Sequence, residues 1–129
     1  MKSVGLIAML LISCAVGAAH AADKPSLAAH WKAVELNEKT VSGLTLNYAA
    51  DTKTVSGTSG CNRFTGGIIV DNDKLKIGPL AGTRMMCDGK MQLEAEYLAA
   101  LQAAESFAVQ DDSLMLKGEG GEILAKFTK

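Results

Sequence analysis

Aromatic side chains are scarce. One Trp, two Tyr and three Phe make up 5% of the 129 residues, so the interior must be filled by Leu, Ile, Val, Ala and Met. Arginine occurs only at Arg63 and Arg84, and the formal net charge is -1. No cationic excess is left for a phosphate backbone, which excludes nucleic acid as an expected partner. Acidic runs are missing too, so nothing reads as a solvating tail. Histidine is confined to His20 and His30. With His20 in an N-terminal targeting segment, one imidazole remains, and no Ser-His-Asp set can be assembled around it. Cys-x-x-Cys and His-x-x-x-His spacings are absent, which argues against a zinc site. The reading is a non-enzymatic protein with no metal and no cofactor.

The length fits one domain. At the N-terminus, Met1 and Lys2 precede a nearly unbroken apolar run over 4–16, stopped by Gly17. Ala19-His20-Ala21 then offers the small-x-small pattern of a signal-peptidase site. We read 1–21 as a secretory signal, 22–27 as a polar lead-in and 28–129 as the domain. The apolar run is too short for a comfortable membrane span. Leu11-Ile12-Ser13-Cys14 also fits a lipobox, so lipidation of Cys14 is the alternative to cleavage after Ala21. Either route delivers the domain to the periplasm, free or tethered to the outer membrane, and a monomer is expected.

The mature chain reads mostly as short strands divided by turn residues. Strand 30–36 is expected to place Trp31, Ala33 and Glu35 on one face and Lys32, Val34 and Leu36 on the other. Trp31 reads as a core anchor, with an exposed contact role as the alternative. Leu44, Leu46 and Tyr48 alternate with polar neighbours, and 54–59 returns as the second arm of a hairpin. Strands 67–70 and 74–77 flank Asp71-Asn72-Asp73. That triplet resembles the start of a calcium loop, but the position needing a bidentate glutamate is Gly82, so it reads as a turn.

From Asp88 the period lengthens. Leu93, Tyr97 and Leu101 are four apart in an alanine-rich stretch, which predicts a helix over 89–104 with Asp88 as its N-cap. Strands 106–110, 114–117 and 123–127 follow, with Ile123, Ala125 and Phe127 on one face. The fold class is α+β, mainly β: about eight strands in a small antiparallel barrel-like sheet, with one helix inserted after the fifth.

Two stretches carry the distinctive chemistry, Ser59-Gly60-Cys61-Asn62-Arg63-Phe64-Thr65-Gly66-Gly67 and Gly82-Thr83-Arg84-Met85-Met86-Cys87-Asp88-Gly89. In an exported domain, Cys61 and Cys87 are most simply a disulfide, which would contribute roughly 3–4 kcal/mol by restricting the unfolded chain. Two free thiols, a metal site with His30 or Asp88, and a nucleophilic cysteine stay open as alternatives. Gly57, Gly60, Gly66 and Gly67 read as turns and a bulge, with Asn62 satisfying turn amides. Arg63 and Arg84 read either as separate ion pairs with Glu94 or Glu96, or as one cationic patch for a carboxylate or a partner protein. Met85, Met86 and Met91 read as filler where the helix begins, with an adaptable apolar lip as the alternative.

Gly57-x-x-Gly60-Cys61-Asn62-Arg63-Phe64-x-Gly66, followed by Thr83-Arg84-Met85-Met86-Cys87 and a helix carrying Glu96, resembles the META domain, an HslJ-like family. The resemblance runs from about Ala28 to Phe127. The segment between the motifs is short for the family, and the tail ends soon after the last strand. The resemblance implies a barrel similar to lipocalin-type or pilotin-like folds, in an exported or lipid-anchored protein tied to heat shock and novobiocin tolerance. It offers no catalytic residue, only the signature positions Gly60, Cys61, Asn62, Arg63, Gly66, Thr83, Arg84, Met85 and Cys87. The expected partner is an envelope protein. A small apolar ligand held in the barrel mouth is the second expectation.

Overall fold

The computed structural model describes residues 26–129. The expected signal segment, the lipidation at Cys14 and the lead-in up to residue 25 lie outside the described residues. In chain order the elements are β1 (His30–Leu36), β2 (Lys39–Thr40), β3 (Thr45–Ala49), β4 (Thr54–Thr58), β5 (Arg63–Asp71), β6 (Lys74–Ile77), β7 (Ala81–Gly82), α1 (Met91–Ala103), β8 (Ser106–Gln110), β9 (Ser113–Lys117) and β10 (Ile123–Thr128). Eight strands close a ring in the order β1-β3-β4-β5-β6-β8-β9-β10, with β10 pairing back onto β1. These are the eight strands legible in the sequence. The two-residue strands β2 and β7 hang on β1 and β5; counted along the ring strands, α1 follows the fifth, β6, as expected.

Every strand pairing is antiparallel, and tight turns make most of the connections. Asn72 (φ 55) and Asp111 (φ 55) take the left-handed conformation that short polar side chains tolerate. Asp71-Asn72-Asp73 is thus a hairpin turn between β5 and β6. Side-chain parity follows the sequence along β3, where Leu44 and Leu46 are buried and Tyr48 is half-buried.

Parity fails where the ladder slips. A bulge between Ala33 and Glu35 breaks the β1–β10 register. Trp31 and Ala33 face inward as expected, but Leu36 joins them in the core and Glu35 does not. A second slip between Ile123 and Ala125 leaves Ala125 and Phe127 buried while Ile123 is exposed. An extra residue in one strand flips every side chain beyond it.

The glycines also sit differently from expectation. Gly57, Gly66 and Gly67 lie inside β4 and β5, and only Gly60 of that group turns the chain, at φ +97. Gly57 is required by close approach: a Cβ there would run into the Thr45 carbonyl across the sheet.

The ring is weakest between β6 and β8, which share one register pair, Lys74↔Ser106. Helix α1 supports that seam. Gln102 Nε2 donates to the Gly78 carbonyl at 2.7 Å, and Lys76 Nζ donates to the Gln102 carbonyl at 3.4 Å. The apolar stripe of α1 enters the ring, where Tyr97 and Leu101 reach 0% exposure. Phe64 meets Tyr97 edge-on with centroids 5.9 Å apart, and Phe127 lies 6.3 Å from the same ring, tilted by 49°. Trp31 is an anchor, fully buried, with Nε1 donating to the Leu27 carbonyl at 2.9 Å. The interior is therefore filled by the chain's own Trp31, Tyr97, Phe127, Leu101, Leu114 and Leu116.

Tyr97 Oη donates to the Thr45 carbonyl at 2.7 Å, tying the helix to β3. Burial pushes the Tyr97 phenol up from its usual value near 10. The folded state therefore holds that proton more tightly than the unfolded chain. Its contribution to stability is complete below about pH 10 and falls as pH rises past it. We expect Tyr97→Phe to cost about 1–2 kcal/mol near neutral pH. Urea titrations followed by Trp31 fluorescence at neutral and strongly alkaline pH should show a larger alkaline loss in the native protein than in the variant. Equal losses would contradict this account.

Candidate functional site

One side chain organises the rim of the ring. Asn62, 5% exposed, lies just before β5, where Gly60 has turned the chain. Its Oδ1 accepts the Met85 N–H at 2.8 Å, and its Nδ2 donates to the Met85 carbonyl at 3.0 Å. The carboxamide thus pairs both backbone groups of Met85, as a residue on a neighbouring strand would. Oδ1 also accepts from Thr83 Oγ1 at 3.0 Å, and Nδ2 also donates to Glu94 Oε2 at 3.1 Å. All four hydrogen-bonding positions of the amide are used.

Neighbouring groups extend the set. Thr83 N–H donates to the Arg63 carbonyl at 3.1 Å, and Arg63 N–H donates to Thr83 Oγ1 at 3.1 Å. Ser59 N–H donates to the Asn62 carbonyl at 2.8 Å, while Ser59 Oγ donates to Glu94 Oε1. Glu94 sits in the first turn of α1 and is 8% exposed. Its carboxylate is held by neutral donors near the positive end of the helix. Thus the 83–87 segment and α1 meet through one carboxamide, and the end of β4 joins them through the Asn62 main-chain carbonyl and Glu94.

Cys61 joins Cys87 beside this network, with their Cα atoms 5.8 Å apart and a sequence separation of 26. That separation is ordinary for a disulfide. Thiol, metal and nucleophile readings of these cysteines give way to the bond. Beyond Cys87 the chain turns sharply: Lys90 N–H donates to the Cys87 carbonyl at 3.1 Å, with Gly89 at φ 77. The turn displaces the helix start. Lys90 occupies the N-cap position with no side-chain cap, so Asp88 does not cap α1.

Between the 83–87 segment and α1 runs a groove of about 580 Å³. Phe64, Leu80 and Leu98 form apolar walls, Arg63 and Arg84 supply charge, and Met85, Met86 and Met91 line the rim. The methionines do not fill the core: their exposures are 57%, 85% and 36%. The structure places them as an apolar lip, because the Asn62 bonds hold the Met85 backbone at the surface. The arginines do not pair with Glu94 or Glu96 either. Glu94 faces inward, and Glu96 accepts from Gln92 Nε2 at 3.3 Å. Among the described residues, the ion pair present is Lys126–Glu35. His30 lies on β1 and contacts Asn47 Oδ1 at 2.6 Å, outside the groove lining.

Sequence reasoning singled out Asn62, Arg63, Thr83, Arg84 and Met85, and the structure brings them together. It missed Ser59 as a partner of Glu94 and read Glu94 as an ion-pair partner of an arginine. The i, i+3 step from Glu94 to Tyr97, which puts both on the buried face, was the available signal.

A profile of the META domain matches residues 25–129. The chain belongs to the META domain family. Solved structures share the fold. An NMR structure of a protein from Burkholderia xenovorans is 28% identical, with a TM-score of 0.65 over 78% of this chain and 81% of that one. A crystal structure of a DUF4847 family protein from Bacteroides vulgatus shares the fold at 15% identity, with a TM-score of 0.62 over 78% of this chain and 92% of that one. No curated protein matches the sequence. In this META domain the two signature motifs meet at the rim, on either side of the Asn62 carboxamide and beside the groove.

Removing the disulfide by Cys61→Ser with Cys87→Ser should cost about 3.5 kcal/mol of unfolding free energy. Asn62→Ala should cost about 2–4 kcal/mol, because Glu94 and the Met85 backbone lose buried partners. Asn62→Asp has the same shape but turns the Nδ2 donor into an acceptor facing Glu94. We expect it to cost at least as much as the alanine change. Urea unfolding of the three variants checks the ranking, and a silent Asn62→Asp would refute the role given to Nδ2.

Proposed function

We propose that this META domain is a non-catalytic binding module of the bacterial envelope. It acts in tolerance of heat and of antibiotics such as novobiocin through contact with another envelope protein. The observation that carries the reading is the groove: exposed Met85 and Met86 stand beside Arg63 and Arg84 on a backbone fixed by Asn62 and the disulfide. Adaptable thioethers next to guanidinium groups with no ion-pair partner among the described residues suit a protein surface with an acidic component. Envelope location and the stress role come from the family resemblance and the apolar N-terminal segment.

The non-catalytic reading rests on the side chains available. Cys61 and Cys87 are bonded to each other. The Ser59 hydroxyl is 1% exposed and donates to the Glu94 carboxylate, with no imidazole beside it among the described residues to activate it. A competing reading places a small apolar ligand in the same groove, favoured by Phe64, Leu80 and Leu98. A lipid-like adduct retained by the protein in native mass spectrometry would favour that alternative.

Deleting the gene should raise sensitivity to heat and novobiocin. Re-expression of the native chain should restore tolerance, whereas a folded Arg63→Ala/Arg84→Ala variant should not. Unchanged tolerance in the deletion strain would sink the proposal.

A further inference from the structure

Ring closure removes nearly every free strand edge. Among the described residues, two short edges remain, β2 and β7. β2 is exposed and bears Lys39 beside Glu38, charged blocks of the kind that discourage pairing. β7 differs. It pairs with β5 on one side through Phe64↔Gly82 and Thr65↔Ala81, and its other side is open.

The edge continues past Gly82. Thr83 and Met85 send their backbone groups inward, to Arg63 and to the Asn62 carboxamide. In an extended chain, alternate residues direct their N–H and C=O to opposite sides. Arg84 and Met86, the alternate residues here, have no backbone hydrogen-bond partner among the described residues. Strand β7 ends at Gly82, and 83–86 carry the edge on as irregular backbone in which the Arg84 and Met86 donors and acceptors are unused. Directly beside it lie the apolar groove and both arginines.

We infer that the 81–86 edge receives an extended peptide segment of another protein as an added β-strand, with an apolar side chain in the groove and an acidic one at Arg63 and Arg84. This rests on the docking reading above and specifies its occupant. Main-chain bonding to Arg84 and Met86 would supply affinity, and the groove would select the side chains. Charge disfavours a second copy of this chain as the occupant, because self-pairing would bring one Arg84 close to another. The Asn62 bonds and the disulfide hold the edge in place before binding, which lowers the ordering cost.

The test selects binders of the oxidised protein from a displayed library of random linear peptides. Enriched sequences should alternate apolar and polar residues and carry Asp or Glu. Hydrogen exchange should show the Arg84 and Met86 amides gaining protection on binding. Met86→Pro, which removes the unused N–H, should weaken binding about tenfold more than Met86→Ala, as expected for one lost hydrogen bond. Arg84→Glu should shift enrichment toward Lys and Arg. N-methylation of the peptide backbone, which leaves this protein unaltered, should abolish binding even if Met86→Pro fails to fold.

Binders that occupy the groove but tolerate every N-methylation would overturn strand addition while leaving the docking reading intact. Binders whose protection maps elsewhere, or no enrichment at all, would overturn the inference and weaken the docking reading with it. Protection of Arg84 and Met86 by self-association without peptide would name a second copy as the occupant and also overturn it.

Discussion

A side-chain carboxamide carries the same groups as a peptide unit: a planar carbonyl and an N–H. At Asn62 that equivalence is used in full. The amide stands where β5 has run out and pairs Met85 as the next strand residue would. It spends its second donor on Glu94 and its second acceptance on Thr83. The disulfide and the carboxamide act on different states. The disulfide restricts the unfolded chain and says little about where Met85 points. The carboxamide acts only in the folded state and fixes the direction of the 83–86 backbone. Both are needed for a loop that is exposed in its side chains yet ordered in its main chain.

What the interior contains determines where recognition can occur. A ring of eight strands is just wide enough for side chains to fill. Here Trp31, Tyr97 and Phe127 do so, with Tyr97 brought in by the helix. That packing sends recognition to the rim. The helix serves two ends at once: its C-terminal half supports the weak β6–β8 seam, and its first turn delivers Glu94 to Asn62. Damage to either end should therefore be felt at the other.

Much of this was legible in the residues. Alternation and the turn residues between runs located the ring strands, since strands such as β1, β4, β6 and β9 have one wet face and one dry face, and the four-residue spacing of Leu93, Tyr97 and Leu101 located the helix. What failed was parity after a bulge. Nothing local in residues 30–36 announces the slip that buries Leu36, since it arises from pairing with β10 across the whole chain. The helix start failed for a related reason: Asp88 is a good cap by type, but the disulfide and the Gly89 turn hold it outside the helix. The methionines misled because composition predicts burial for thioethers, whereas the Met85 backbone is held at the rim by its bonds to Asn62 and the other two stay exposed beside it. Glu94 was misread because a buried carboxylate without a cation is uncommon, and the two neutral donors that hold it come from residues 59 and 62.

The exposure of Met86 bears on why the rim is built this way. At 85% exposed, its side chain gains little from folding, and a polar residue there would be more soluble. Stability therefore does not explain an apolar residue at that place. The backbone beneath it is fixed by an amide, a disulfide and a turn, so the flexibility of the site lies in unbranched side chains alone. A rigid main chain offers the same donors and acceptors to any extended segment, and soft side chains adapt to what that segment carries. On the reading proposed above, this division allows one rim to accept related partners without reshaping its backbone. It also places the cost of error on Asn62: lose that amide, and Met85, Met86 and Arg84 stay in the sequence but no longer share an edge.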